Sequence, residues 1–383
     1  MKTFIKLQCI FIVIIFFAKP AISDEKIKIG LVVPLTGEFA QIGQSIVNST
    51  RLALNSINDE RFEILPRDSQ SDPMITLNVS KDLHYSDGVK IIIGPVFNEN
   101  NLYLDQIPEV TFLSFTNKLI NNHSNVISSG VNAISQINAI KKFQKDNKLK
   151  KTIFLIPNED FKNEIENAIS KTKIILKDKY IYDTDPTLLT SQIEKITRYK
   201  IRKQNLIDEI KRIEDSDIEN KEKKIENLKL RDTIGGLNFD SVIISDFDEN
   251  LKSVATSLLY TDVSSKRVKY ISLNQWFDKS LLKDKSLHPI YFPSIDKDNY
   301  DSFVKDYKET FNSEPNQISF LSFDLVGLVY YLIFKNNFVV ENKVFYEKNK
   351  FLGKIGVFEI NRNNITHELS FYSVDKGKFI KIF

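Results

Sequence analysis

The chain has 383 residues, 42% of them hydrophobic and 27% charged, with 53 Lys and Arg against 50 Asp and Glu. That composition excludes a disordered tail, a collagen-like rod and a multispan membrane protein, and the length suits two lobes at roughly 100–200 residues each. Three of the positive charges (Lys2, Lys6, Lys19) fall in the first 23 residues, so the rest of the chain carries 50 of each sign. A neutral body argues against a protein built to grip nucleic acid, whose affinity comes from neutralising phosphates.

Met1 to Ser23 reads as a secretory signal peptide. Lys2 and Lys6 make a positive start, Leu7 to Ala18 is an apolar run broken only by Gln8, and Ala21-Ile22-Ser23 puts small residues at both ends of a cleavage tripeptide. The run is well short of the ~20 residues that a spanning helix needs. Cleavage is expected after Ser23. It would leave a periplasmic chain with no stable membrane anchor. The one cysteine, Cys9, lies inside the apolar run behind Lys6-Leu7-Gln8, the wrong setting for lipid attachment. The mature chain then has no disulfide and no thiolate chemistry.

The mature chain opens on a strand, Ile27 to Pro34, whose lack of polar alternation predicts burial on both faces. After the turn Leu35-Thr36-Gly37, apolar residues at helical spacing predict a helix over Ser45 to Ile57. Phe62 to Leu65 is a second strand, Met74 to Tyr85 a helix, Val89 to Ile93 a third strand and Thr111 to Ser114 a fourth. This rhythm predicts right-handed βαβ units and a parallel sheet. It restarts near residue 131, with a helix over Ser135 to Asp146 and strands over Lys151 to Pro157, Ile174 to Ile181, Ser241 to Ser245 and Val268 to Leu273. The fold class is therefore α/β, with two lobes that meet at an interlobe cleft, and ligands are expected beyond the carboxyl ends of the strands.

Residues 194–232 differ. They hold 22 charged residues, 12 basic and 10 acidic, around a thin seam of Leu206, Ile210, Ile213, Ile218, Ile225 and Leu228. This predicts a charged helical hairpin inserted in the second lobe, returned to it by Gly235-Gly236. It either packs on its own lobe or docks a partner. Beyond His288-Pro289 come a strand from Ile290 to Pro293, helices over Tyr300 to Phe311 and Phe320 to Phe334, and two alternating runs, Gly356 to Ile360 and Glu368 to Val374, that read as one terminal hairpin.

Catalytic motifs are lacking. His84, His123, His288 and His367 are scattered, with no HExxH, no cysteine pair and no Gly-x-Ser-x-Gly. Gly37 and Gly43 bracket a loop before a helix, but Gln44 follows where a phosphate loop needs Lys. Asp246 and Asp248 are paired carboxylates of the kind used in acid–base chemistry; in a strand-to-helix loop they read as a cap and a solvated neighbour. No catalytic residue, metal site or cofactor is expected.

The motifs IKIGLVVPLTGEFAQIGQSIVNSTRLALNSIN, RDSQSDP, DGVKIIIGPV and FLSFTN (Phe112 to Asn117) together resemble type I periplasmic binding proteins of the leucine/isoleucine/valine-binding kind. The charged insertion, FDSVIISDFDENLKSVATSLLY, YISLNQWFD, FLSFDLVGLVYYL and FLGKIGVFEINRNN…ELSFYSV resemble one subgroup, the penicillin-binding protein activators. The resemblance implies two Rossmann-like lobes joined by three crossovers that act as a hinge when ligand closes them, the first lobe over 24–131 and 287–345 and the second over 132–286 and 346–383. It implies a non-catalytic receptor for a small amino-acid-like ligand, feeding an ABC permease, or else a regulator that binds a cell-wall synthase and keeps a degenerate cleft.

Carried over residue by residue, the resemblance implies a ligand wall of Phe97, Asn98, Thr116, Asn117, Phe247 and Asn274. Phe97-Asn98 stands where a serine hydroxyl is usual, Thr116 retains a hydroxyl, and Phe247 takes the place of an aromatic lid. Asn274 lies near the position of the acid that holds the ligand's ammonium group. A neutral amide there implies a weakened zwitterion site, a different ligand or none.

Overall fold

The computed structural model describes residues 26–120 and 122–383. The expected signal peptide, with Cys9, lies outside the described residues.

Five strands, β1 (Ile27–Val33), β2 (Phe62–Asp68), β3 (Ile91–Ile93), β4 (Thr111–Ser114) and β5 (Val126–Ser128), pair in parallel in the order β5-β4-β3-β1-β2. The helices α1 (Ala40–Ile57) and α2 (Pro73–Tyr85) connect them. The continuous apolar run of β1 has a physical reason. Leu31 and Val33 enter one core cluster and Val32 enters another, so the strand is buried on both faces. Gly43, no phosphate-binding residue, is a close-approach position, since a Cβ there would lie 1.7 Å from the Pro34 carbonyl oxygen. Gly94, at φ +116°, likewise leaves no room for a side chain against Val32. Asp72 starts α2 by accepting the Met74 and Ile75 amides (2.8 and 2.9 Å).

The second set holds α3 (Ala133–Asp146), β6 (Thr152–Pro157), α4 (Lys162–Thr172), β7 (Asp178–Tyr182), α5 (Pro186–Ile196), α6 (Tyr199–Glu214), α7 (Lys221–Lys229), β8 (Ser241–Ile244), α8 (Asp248–Tyr260), β9 (Lys269–Ser272) and β10 (Ile290–Ser294). The helices α9 (Lys297–Phe311) and α10 (Ser319–Lys335) return to the first lobe. There α10 lies along α1, and the Ser49 hydroxyl donates to the Ser319 carbonyl (2.6 Å). The strands β11 (Asn349–Leu352), β12 (Val357–Asn361) and β13 (Asn364–Glu368) extend the first sheet, and β14 (Ser370–Asp375) and β15 (Lys378–Lys381) extend the second. Among the described residues the sheets have eight and seven strands. The chain passes between them after β5, after β10 and after β13.

This topology corrects three expectations. The boundary expected at residue 287 falls too early, because β10 pairs with β9 and β14 in the second sheet. The stretch from 346 is divided, because β11 to β13 belong to the first sheet. The single terminal hairpin is in fact two, β12 with β13 and β14 with β15, in different lobes. Only Leu369 separates β13 from β14. A strand that runs straight from one sheet into the next needs no turn residue, so nothing in the local sequence marks the passage.

The charged insertion folds as α6 and α7. Tyr199, Arg202, Leu206 and Ile213 of α6 are buried, α7 has no buried residue, and Ile218 of the expected seam lies exposed in the connecting loop. The anchor is Arg202, whose guanidinium donates to the Thr261 carbonyl (3.0 Å), the Thr233 hydroxyl (2.7 Å) and the Asp262 carboxylate (3.2 Å). Removing one partner of a fully buried ion pair costs about 3–5 kcal/mol. Asp262 is partly exposed and keeps Arg267 at 3.1 Å. Arg202→Ala is therefore expected to cost about 2 kcal/mol, read as a fall in the urea midpoint at unchanged slope. An unchanged midpoint would show that the apolar seam alone anchors the arm.

The interlobe cleft as candidate functional site

Parallel strands release their chain at carboxyl ends that all point one way, so the following loops gather on one side of each lobe. In the first lobe β3 runs out into Phe97-Asn98 and β4 into Thr116-Asn117. In the second, β8 runs out into Phe247 and β9 into Asn274. These six expected residues all line one cavity of about 1110 Å³ between the lobes.

Their hydrogen bonds separate structural from available groups. The Thr116 hydroxyl accepts the Lys118 amide (3.2 Å) and reaches Asn98 Oδ1 only at 3.5 Å, so it serves partly as a turn cap. Phe97 rests against Phe39 with ring centroids 4.7 Å apart. Asn117 is exposed at the rim, and Phe247 is 36% exposed toward the cleft. Asn274 is held firmly. Its backbone N–H donates to Gln136 Oε1 (2.9 Å), while its Oδ1 accepts the Trp276 N–H (3.0 Å) and the Ser294 hydroxyl (2.8 Å). A backbone N–H can only donate, so the oxygen must face Trp276, and this settles the amide's orientation. Both lone pairs of that oxygen are used, which leaves the Nδ2 donors.

The acid pair does not form an acid–base site. Asp246 lies beneath the wall, where its carboxylate accepts the Tyr182 hydroxyl (2.5 Å) and the Phe247 amide (3.0 Å). Burial pushes its carboxyl above the ordinary range. Asp248 is exposed at the rim. Among the described residues no group of three or more His, Cys, Asp or Glu is placed to hold a metal ion.

Sequence reasoning did not assign Gln136, Gln275 or Trp276 to the wall. Trp276 is half-buried and lines the cleft. Gln275 and Trp276 follow Asn274 directly beyond β9, so the carboxyl-end rule points to them; Gln136, in the first turn of α3, carries no such signal. Helix α9 and the loop after it also form part of the wall, through Tyr300 and Gln317, and Gln317 Nε2 donates to the Trp276 carbonyl (3.3 Å).

A family model described as "Periplasmic binding protein" matches residues 26–172. No curated protein sequence matches the chain. Among solved structures, a putative branched-chain amino acid ABC transporter from Rhodospirillum rubrum is similar at a TM-score of 0.70 and 12% identity, over 93% of this chain and 100% of that one. The branched-chain amino acid transporter substrate binding protein LivJ from Streptococcus pneumoniae, in complex with isoleucine, is similar at 0.53 and 14%, over 93% and 99%. A solute binding protein of an ABC transporter from Rhodopseudomonas palustris, in complex with 3,4-dihydroxy benzoic acid, is similar at 0.56 and 14%, over 94% and 96%. At these identities the likeness is one of fold. No helix of the described residues is long and apolar enough to cross a membrane. Residues 26–172, from β1 to α4, thus match the periplasmic binding protein family, and the described chain as a whole shares the fold of the solved solute-binding structures, two lobes crossed three times by the chain.

Proposed function

We propose that this chain is a periplasmic solute receptor that closes two lobes on a small molecule and delivers it to an ABC permease. The observation that carries the reading is the cavity of about 1110 Å³, walled by the carboxyl-end loops of both sheets. The isoleucine and dihydroxybenzoate of the two structural neighbours are ligands of such receptors. On this reading the first lobe comprises 26–131 and 297–368 and the second 132–296 and 369–383. An amino-acid-like ligand fits less well than the receptor role itself, because Asn274 has no acceptor left for an ammonium group. Solution scattering of the mature chain with a small-molecule library tests the proposal. A ligand should shrink the radius of gyration and raise the melting temperature, and a chain that never compacts would refute it.

A second reading, a regulator that touches a cell-wall synthase as in penicillin-binding protein activators, is favoured by one observation. Helix α7 has no fully buried residue and keeps Ile225 and Leu228 half-exposed, so the tip of the arm offers surface to a partner. The Ile234 amide donates to the Arg202 carbonyl (3.1 Å), so the two ends of the arm meet and a two-residue turn can replace 204–232. A receptor so shortened is expected to keep its solute affinity within about twofold, since the arm contributes nothing to the cleft wall. A regulator docking through the arm would lose its partner in the same variant, read by pull-down with the candidate synthase.

A further inference from the structure

We infer that the solute of this cleft is electrically neutral and presents an amide or hydroxyl group beside a flat apolar face. The inference rests on the receptor reading above and adds the chemistry of the ligand.

The first argument is where the charges lie. Lys118 is paired with Glu99, Lys297 with Asp301 and Lys308 with Glu314. The remaining charged residues of the wall are Lys279, Asp248 and Asp278, and both Asp278 oxygens are taken by the amide and hydroxyl of Ser280. Among the described residues no arginine or histidine lines the cavity. The buried polar residues of the wall are all uncharged: Thr116 (5% exposed), Gln136 (8%), Asn274 (4%) and Gln275 (6%). A charged ligand group drawn in among them would lose its water and gain no counter-charge, which disfavours it far more than a neutral group that finds hydrogen bonds.

The second argument is the pattern of donors and acceptors. Gln136 is committed at both ends, to the Asn274 amide and the Val131 carbonyl. Gln275 spends its Nε2 on the Asp246 and Leu273 carbonyls, and its Oε1 has no protein partner among the described residues. Asn274 is the reverse, with Oδ1 spent and Nδ2 without a protein partner among the described residues. Neighbouring residues thus offer one donor and one acceptor. A carboxamide or hydroxyl satisfies both, whereas an ammonium only donates and a carboxylate only accepts.

The third argument is the apolar contribution. Phe97 comes from the first lobe, and Phe247 and Trp276 from the second, each with ring surface not fully buried in the core. Such rings take up the flat apolar face of a neutral ring compound, and the few polar groups fix its orientation. A saccharide and a simple cyclic amide share this chemistry.

Calorimetry on the mature chain with four probes tests the inference. Benzamide and benzoate have the same shape and differ in charge; N,N′-diacetylchitobiose is a neutral saccharide and leucine a zwitterion. Benzamide is expected to bind at least about tenfold more tightly than benzoate, or the saccharide more tightly than leucine, with little dependence on salt. Which neutral probe binds separates the amide from the saccharide. Phe247→Ala gives up one edge contact with Phe161, so it should lower the melting temperature only slightly, and it should weaken the neutral probe about tenfold. Tighter binding of benzoate or leucine overturns the inference and leaves the receptor reading intact. No binding of any probe, together with no compaction, overturns both.

Discussion

Asn274→Asp is expected to convert the cleft into an amino-acid site. The native oxygen that holds the Trp276 amide and the Ser294 hydroxyl is kept, because aspartate also presents an oxygen there. The change falls on the other atom, where a carboxylate oxygen replaces the Nδ2 donor. An ammonium group drawn into the cleft then gains a charge-assisted hydrogen bond worth about 1.5–3 kcal/mol, or roughly ten- to a hundredfold in affinity. The expected calorimetric result is a rise of that size for leucine and a fall for benzamide. The ligand-free variant should lose some stability, because the new charge is buried without a partner. Leucine binding no better to the variant than to the native chain would show that the Asn274 side chain does not face the bound solute.

Acid stability is the second large effect, and it comes from two buried groups that oppose each other. His367, on β13 just before the last crossover, bonds through Nε2 to the Ser129 carbonyl (3.1 Å) in the first crossover. A carbonyl only accepts, so Nε2 carries the proton, and Nδ1 is buried without a partner. Protonating Nδ1 would place a charge there with no acceptor, and burial accordingly depresses the His367 pKa to about 4. The unfolded chain binds this proton near pH 6.5, so the native state is favoured above that value and loses the advantage as pH falls toward 4. The full loss is about 3 kcal/mol.

Asp324 on α10 works in the other direction. It accepts the Lys354 and Ile355 amides (2.8 Å each), yet burial pushes its carboxyl up to about 6. Its contribution is fully present below pH 3.8 and is lost as pH rises through 6, again by about 3 kcal/mol. Between pH 4 and 6 the two groups largely cancel. His367→Gln should therefore be relatively more stable at pH 4 than at pH 7 when compared with the native chain. Asp324→Asn, which keeps an acceptor for one amide, should lose stability more steeply on acidification. Urea midpoints across this range decide the matter, and parallel pH profiles for all three proteins would refute the assignment.

How far the site could be read in advance followed the physics of each signal. The strands of the first lobe announced themselves because their buried faces demand unbroken apolar runs. The resemblance put Phe97, Asn98, Thr116, Asn117, Phe247 and Asn274 on a ligand wall, and all six line the cavity, each in a loop that follows the carboxyl end of a strand. Gln136 escaped because it reaches the wall from a helix in the crossover. The arm's amphipathic spacing predicted two helices, but not that Arg202, one charge among many, is the buried one.

Composition, periodicity and strand order by themselves determined an α/β chain of two sheets built around parallel βαβ units, because these features depend on local burial patterns. Tertiary structure alone decided which strands join which sheet near the carboxyl terminus, since strand pairing is non-local and Leu369 carries no turn signal. It also decided the character of the cleft. Whether an amide presents its donor or its acceptor depends on which distant N–H and O–H groups have already taken its oxygen, and those partners meet only when the chain folds.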